Sequence, residues 1–395
     1  MTVEALDRVT APRRPLERCT GDPEAFLREA WGRRATVLTR VDAHGFSDLL
    51  SLDDVDRFLT TTALRTPFFR LVKAGERIPE AAYTRTGRAG SRSVEGIVDP
   101  ARVAALFEDG ATIVLQGLHR WSEPVTRFTR DLELDLGHPC QVNAYVTPPG
   151  AQGLDLHQDA HDVFVLQAFG RKRWEVHAAP DEDPREPIDA EVRRGDAIYM
   201  PPGTPHAASA QEVVSGHLTV GVHVTPWRDV LTGVWSRLVK QVDEPVPAGW
   251  TGDPEGFARE LGERLHELSN DLRSVDTREE TRIRVERFLS TRAQLARGTL
   301  SERATAIEVD DATRVRRRPD VLCELRLHGD LLVVLLGDRR LEMPAWLEPA
   351  IQRVAATTGP FSVGDLAKQL PDAESRTVLV RRLIREGLLT AGDTG

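Results

Sequence analysis

The chain has 395 residues, 40% apolar and 29% charged, a composition that fits a globular protein and excludes a disordered one, and a length that calls for two or three domains. Its formal charge of −9 disfavours direct nucleic-acid binding, which wants a basic excess, and the short basic stretches at 33–40 and 314–320 read as solvated edges. Cys19, Cys140 and Cys323 stand far apart without a C-x-x-C pair. Any metal must therefore sit on His, Asp or Glu. No apolar run reaches the roughly 18 residues of a membrane span, and the first residues lack a signal-peptide layout, so a cytoplasmic protein is expected.

In chain order, DPEAFLREAW starts with Asp22 and Pro23, a cap followed by a first-turn proline, and predicts a helix. SLDDVDRFL from Ser51 predicts another with an acidic first turn. From Thr112 to Val224 short strand-like runs alternate with turns: ATIVLQGL, CQVNAYVTPPG, DVFVLQAFG, KRWEVHAAP, GDAIYMPPGTPH and GHLTVGVHV. Such spacing predicts a β-sandwich or barrel, with little helix beyond a turn around Val125–Leu132. PWRDVLTGVWSRLVKQV then has helical spacing, and Phe257, Leu261, Leu265 and Leu268 form an amphipathic stripe within a helical segment over 250–298. LCELRLHGDLLVVLLGDRRLEMP reads as two strands around HGD and GDR turns, followed by helix, turn, helix and a short strand. That order is winged-helix-like. Its charges balance, which favours a packing or dimer-supporting module over a DNA reader.

The chemistry concentrates in Gly153–Trp174. His157 and Asp159 stand two apart in a strand-like run, so both side chains leave on one face. An H-x-D pair alone arises often by chance. Downstream, the strand Asp196–Met200, a proline–glycine turn and His206 follow in order. A histidine past a rigid turn is well held and can reach back into a barrel mouth. His217 and His223 compete as third ligand but lack that placement, while His44, His119 and His138 read as turn or surface residues. Two histidines and a carboxylate form the facial triad associated with non-haem iron(II) oxygenases, leaving positions for 2-oxoglutarate and dioxygen. A structural zinc site would close with four protein ligands.

Lys172 shares a face with Trp174 and Val176 in KRWEV. A buried ammonium wants an anionic partner, which the distal carboxylate of 2-oxoglutarate would supply; the alternative is that Lys172 snorkels to the rim. In QVNAYVT, Asn143, Tyr145 and Thr147 lie on one face, which lines a ligand cavity or meets solvent.

Taken together, N-A-Y-x-T-P-P-G-x-Q-G at 143–153, H-x-D at 157–159, F-x-L-Q-x-x-G-x-K-x-W at 164–174 and G-D-x-x-Y-x-P-x-G-T-x-H at 195–206 resemble the JmjC-type ribosomal oxygenases of the cupin-4 family. The resemblance spans residues from about 20 to 230. It implies a mainly β double-stranded β-helix core of the cupin/JmjC type with α-helical additions. It also implies Fe(II), with 2-oxoglutarate and O2 as cosubstrates, and hydroxylation of a protein or peptide side chain, such as arginine or histidine of a ribosomal protein. By position, His157, Asp159 and His206 match the iron ligands and Lys172 the basic residue on the 2-oxoglutarate carboxylate. Asn143 and Tyr145 match pocket-lining positions, with Thr219 a further one. The segment AHDV, with His161 near the cavity mouth, departs from the family pattern and leaves the target residue open. Open alternatives are a hydroxylase of peptide natural products, an N-methyl-lysine or N-methyl-arginine demethylase, and a non-catalytic cupin binding module. The implied division is a catalytic domain over 1–230 with its β-helix core at about 112–225, a helical dimerisation segment over 231–300 and a winged-helix-like domain over 301–395. A homodimer without membrane contact is expected.

Overall fold

The structure, a computed structural model, describes residues 14–152, 155–178, 187–295, 299–300 and 308–392. It divides into two compact units, Met1–Val224 and Thr225–Gly395. The first opens with helices α1 (Pro15–Thr20) and α2 (Pro23–Glu29), strand β1 (Thr36–Leu38) and helix α3 (Leu52–Thr61). Next come β2 (Phe69–Lys73), β3 (Glu76–Arg77), the hairpin β4 (Thr84–Ala89) and β5 (Arg92–Val98), and α4 (Pro100–Glu108). β6 (Thr112–Leu115), α5 (Glu123–Leu136) and β7 (Cys140–Thr147) lead into β8 (Asp162–Phe169), β9 (Arg171–Val176), β10 (Ile188–Arg193), β11 (Ala197–Met200), β12 (His206–Ala210) and β13 (Ser215–Val222).

The early helices start where their caps dictate. Asp22 accepts from the Ala25 amide, and Ser51 and Asp54 form a reciprocal capping box on α3. The turn expected around Val125–Leu132 is a full helix, α5: Pro124 sits in its first turn, Val125, Phe128 and Leu132 bury one face, and Gly137 ends it at φ +71°. The sequence reading also passed over β2 to β5 and β10. The hairpin is rich in exposed arginine and lacks the apolar alternation that marks a buried strand, whereas β10 does alternate, with Val192 buried, but is a short edge strand.

The strands form an eight-stranded sheet ordered β1-β11-β8-β13-β7-β6-β2-β3 facing a three-stranded sheet β10-β9-β12. This is the double-stranded β-helix. β8 is buried on both sides, which explains its near-continuous apolar run. Phe164 and Leu166 enter the main core with Val142, Ala144, Val146, Leu218 and Val220, under the helices. Val163 and Val165 point the other way and pack with Trp174, Val176, Val192 and Ile198 between the sheets. Fully burying a side chain such as Phe164 contributes about 2–3 kcal/mol.

The second unit begins with α6 (Trp227–Val239), α7 (Pro254–Ser274) and α8 (Thr277–Leu289). Beyond them lie three strands around the HGD and GDR turns rather than two, Glu324–His328, Leu331–Leu335 and Arg340–Pro344. A second small sheet pairs Arg314–Arg317 with Phe361–Ser362 and Leu389–Ala391. The helices Glu348–Ala356 and Ala373–Arg385 pack on these sheets through Ile351, Val354, Leu379, Val380 and Leu383.

Candidate active site

Backbone pairing holds the three ligand carriers. His157 and His206 form an isolated antiparallel bridge, with His157 N donating to His206 O at 3.1 Å and His206 N to His157 O at 2.8 Å. Gly203 N donates to Asp159 O at 2.8 Å. Residues 155–160 are thus an irregular segment pinned to the start of β12, not the regular strand expected. Gly203 adopts φ +76° in the turn before His206, a conformation that favours glycine. The Thr204 hydroxyl closes that turn on Pro201 O at 2.7 Å.

The imidazoles are oriented for a cation. His157 Nδ1 lies 2.8 Å from Asp155 O, and His206 Nδ1 lies 2.9 Å from Thr204 O. A carbonyl only accepts, so in each neutral ring Nδ1 carries the hydrogen and Nε2 keeps its lone pair. His206 is buried, and desolvation holds its pKa below the usual value. Its Nε2 is 3.9 Å from Asp159 Oδ2. One donor atom from each of His157, Asp159 and His206 lies within 4.8 Å of the others, and among the described residues no fourth His, Cys, Asp or Glu joins them. Two neutral imidazoles and a carboxylate on one side of a cavity suit a divalent iron that needs open positions.

The cavity, about 450 Å³ including its mouth, is lined by these three residues together with Tyr145, Lys172, Trp174, His217 and Thr219, among others. Lys172 does not snorkel: it is 2% exposed, and Nζ donates to Thr147 Oγ1 at 3.0 Å. Burial pushes its pKa down to about 7, because the ammonium loses its hydration and no carboxylate among the described residues compensates. Thr147 Oγ1 in turn lies 3.1 Å from Thr112 Oγ1.

Tyr145 lines the cavity, with its phenol pKa raised by burial. Thr219 of β13 pairs with Asn143 of β7. Asn143 is not among the lining residues; its Oδ1 accepts from Gly117 N at 3.0 Å. The polar row of β7 is thus split among a cavity wall, a lysine partner and a loop clamp. His161 packs against Gly221, where a Cβ would sit 2.3 Å from its Nε2, and against His223, whose ring centroid is 5.1 Å away. His217 is buried, does not join the triad, and stacks on Tyr145 at 5.2 Å. His119 and His138, read as turn or surface residues, are half-buried: His119 Nδ1 accepts from Val142 N, and His138 stacks on Trp31. Sequence reasoning did not single out Thr112 or Trp174 as site residues, and it weighed His217 only as a competing third ligand. For Trp174 the signal was its alternation with Lys172; Thr112, at a strand start, had none.

Residues 122–230 match the family model for the JmjC domain. The chain carries a JmjC domain. It is 29% identical over 284 residues to ribosomal oxygenase 1 of Rattus norvegicus, covering 67% of this chain and 46% of that one. It is 25% identical over 257 residues to the bifunctional lysine-specific demethylase and histidyl-hydroxylase NO66 of Dictyostelium discoideum, covering 60% and 48%. The chain thus spans less than half the length of these relatives. In fold it is similar to the ribosomal oxygenase YcfD of Escherichia coli, at 20% identity and a TM-score of 0.54 over 94% of this chain and 98% of that one. A YcfD structure in complex with cobalt and 2-oxoglutarate matches at 19% identity and a TM-score of 0.53 over 93% and 97%. The JmjC domain therefore accounts for the two-sheet core on which the triad and Lys172 stand.

Proposed function

We propose that this protein is an Fe(II)- and 2-oxoglutarate-dependent oxygenase that hydroxylates a protein or peptide side chain, with His157, Asp159 and His206 holding the iron. The observation that carries this is the pair of imidazoles whose Nδ1 atoms both face backbone carbonyls, leaving two Nε2 lone pairs and the Asp159 carboxylate converging on one point. When bound, iron and 2-oxoglutarate would supply, with dioxygen as the oxidant, the chemistry that puts one oxygen atom into a C–H bond and the other into succinate, with release of carbon dioxide. The chain's own part is to hold and exclude. The backbone bridge fixes the ligand geometry, Lys172 offers a buried cation for the remote carboxylate, and Val163, Val165 and Trp174 keep water from the far wall.

The relatives named ribosomal oxygenases support a ribosomal protein as substrate. A relative named both demethylase and hydroxylase supports demethylation as a second reading, which formaldehyde release would mark. The division into a catalytic domain over 1–230, a dimerising helical segment over 231–300 and a winged-helix-like end over 301–395 belongs to the same proposal. The exposed Trp227, Leu231, Leu261 and Leu265 on α6 and α7 support the homodimer. No helix among the described residues is long and apolar enough to cross a membrane; a cytoplasmic location is proposed with the free thiols of all three cysteines in its support.

Anaerobic titration with Fe(II) and then 2-oxoglutarate tests the core of this reading. A weak visible charge-transfer band that saturates at one equivalent is expected. Its absence, with the protein folded, would favour a non-catalytic cupin binding module.

A further inference from the structure

One part of the first unit adds nothing to its core. From Thr84 to Ile97, along both strands of the hairpin β4–β5, no residue is buried. Only the base is anchored. Tyr83 and Val98 flank the hairpin and lie in the main core, while Val98 N donates to Leu64 O at 2.8 Å and Thr66 N to Gly96 O at 2.9 Å. Gly90 and Ser91 close the outer end, with Gly90 at φ +61°. The ribbon therefore turns tightly and has little freedom to lose on binding. Ordering it costs conformational entropy that apolar burial does not offset, and a lone two-stranded hairpin is marginal in water. Such an element asks for a role at the surface.

Its charge supplies one. Arg85, Arg88 and Arg92 stand on the ribbon, and Arg65 joins it through a backbone bridge to Ile97. All four are exposed, against the one acid Glu95, and among the described residues none of the four has an ion-pair partner. Elsewhere on this unit arginines pair, as Arg57 does with Asp54, Arg77 with Glu80, Arg102 with Asp99 and Arg173 with Asp189. The formal charge of −9 belongs to the whole chain and does not describe this arm, which is cationic.

The register adds direction. Arg88 stands opposite Ser93, and Arg92 opposite Ala89. Neighbours along a strand leave on opposite faces, so Arg88 and Arg92 do as well. Cations on both faces suit a partner with negative charge on two sides, as the phosphate strands bordering a duplex groove provide. An acidic protein surface would meet one face only, and a protein interface wants aromatic anchors. The ribbon has no aromatic residue; its other side-chain polar groups, Glu95 apart, are the hydroxyls of Thr84, Thr86, Ser91 and Ser93. Without aromatics it offers no stacking platform to a single strand. Guanidinium and hydroxyl groups match a duplex contacted through phosphates and 2′-hydroxyls.

We propose that the β4–β5 hairpin is an arm that docks this protein on double-helical RNA through Arg85, Arg88 and Arg92. The choice of RNA over DNA rests on the ribosomal-substrate reading, since a ribosomal protein in place lies beside RNA; the cationic ribbon itself does not.

Fluorescence anisotropy tests it, with the full chain, no iron or 2-oxoglutarate, and a labelled RNA duplex of about 16 base pairs, the span of a shape-reading module. Binding should weaken steeply with salt. The variant Arg85→Gln/Arg88→Gln/Arg92→Gln should raise the dissociation constant at least about tenfold and lower the logarithmic salt slope by about three, each single variant lowering it by about one. Removing the same charge from exposed positions of the second unit, in Arg259→Gln/Arg273→Gln/Arg278→Gln, should leave both unchanged. No binding by the wild type, equal weakening in the two triple variants, or equal affinity for a DNA duplex or for poly-glutamate would overturn the proposal while the oxygenase reading stands. If RNA binds as expected but the Fe(II) and 2-oxoglutarate titration gives no charge-transfer band, the arm stands and the oxygenase reading falls.

Discussion

The β-helix core and the α6–α7 pair solve the same problem in opposite ways. In the core, strand alternation sends Val142, Ala144 and Val146 to one side and the ligand-bearing row to the other, and the apolar side is closed by the chain itself. In α6 and α7 no residue is buried; Trp227 is 77% exposed and Leu265 52% exposed. Periodicity says that a face is apolar, not what covers it. The core also tolerates polar groups inside, Lys172, His206 and His217 among them, because they belong to a site. Such groups destabilise unless a ligand or partner meets them. The core is thus set apart by what is polar and buried, and the helices by what is apolar and exposed.

That contrast can be broken or sharpened by measurement. The largest effect should come from His157→Ala or Asp159→Ala, each removing one of three ligands. Substrate-stimulated turnover of 2-oxoglutarate should drop to background while the melting curve stays close to wild type; full activity in both variants would refute the site. Next is Phe164→Ala in the main core, which should lower stability by about 3–5 kcal/mol in denaturant titration, the usual effect of deleting a buried aromatic ring.

Lys172→Met should act with the opposite sign on stability. Its folded pKa of about 7 lies below the ordinary lysine value of 10.5, so between those pH values the unfolded chain binds the extra proton. The destabilisation is therefore full below about pH 7 and fades as pH rises to 10.5, with an upper bound of about 5 kcal/mol. The variant should be the more stable at pH 7 and lose this advantage at high pH, while binding 2-oxoglutarate far more weakly. In the wild type, affinity for the dianion should fall as pH rises above about 7, because the neutral lysine must first take up a proton. An advantage independent of pH would place its origin outside the buried ammonium.

Removing the Ser51 cap with Ser51→Ala should destabilise by about 1 kcal/mol. The smallest effect is expected from Leu265→Ala in dilute protein, within about 0.5 kcal/mol, as for an exposed site. A larger loss that grows with protein concentration would show that a partner covers this face, and light scattering would identify a second copy.

Much of this was legible early. The six strand runs of 111–224 and the caps of α2 and α3 are local signals, read from neighbours a few residues apart. The motifs at 157–159 and 195–206 contain the three residues whose donor atoms lie within 4.8 Å of one another. What escaped notice lacked a local signal. The hairpin β4–β5 is too exposed to alternate, β10 alternates only over a short edge strand, and α5 was shortened because its acidic residues dilute the apolar stripe. Asn143 shares its strand face with Tyr145, yet only the approach of Gly117 turns its amide to a loop.

The sequence by itself determined which residues could carry the chemistry and that they would sit on β-strands and turns, because side-chain direction along a strand is a property of the backbone repeat. Only the tertiary structure decided which of eleven histidines face one another, that Lys172 is sealed from water, and that Trp174 and His217 pack edge-on in the same cavity wall. Those outcomes depend on the register of β9 against β12 and of β13 against β7. Register is set by packing summed over both sheets rather than by any short stretch of chain.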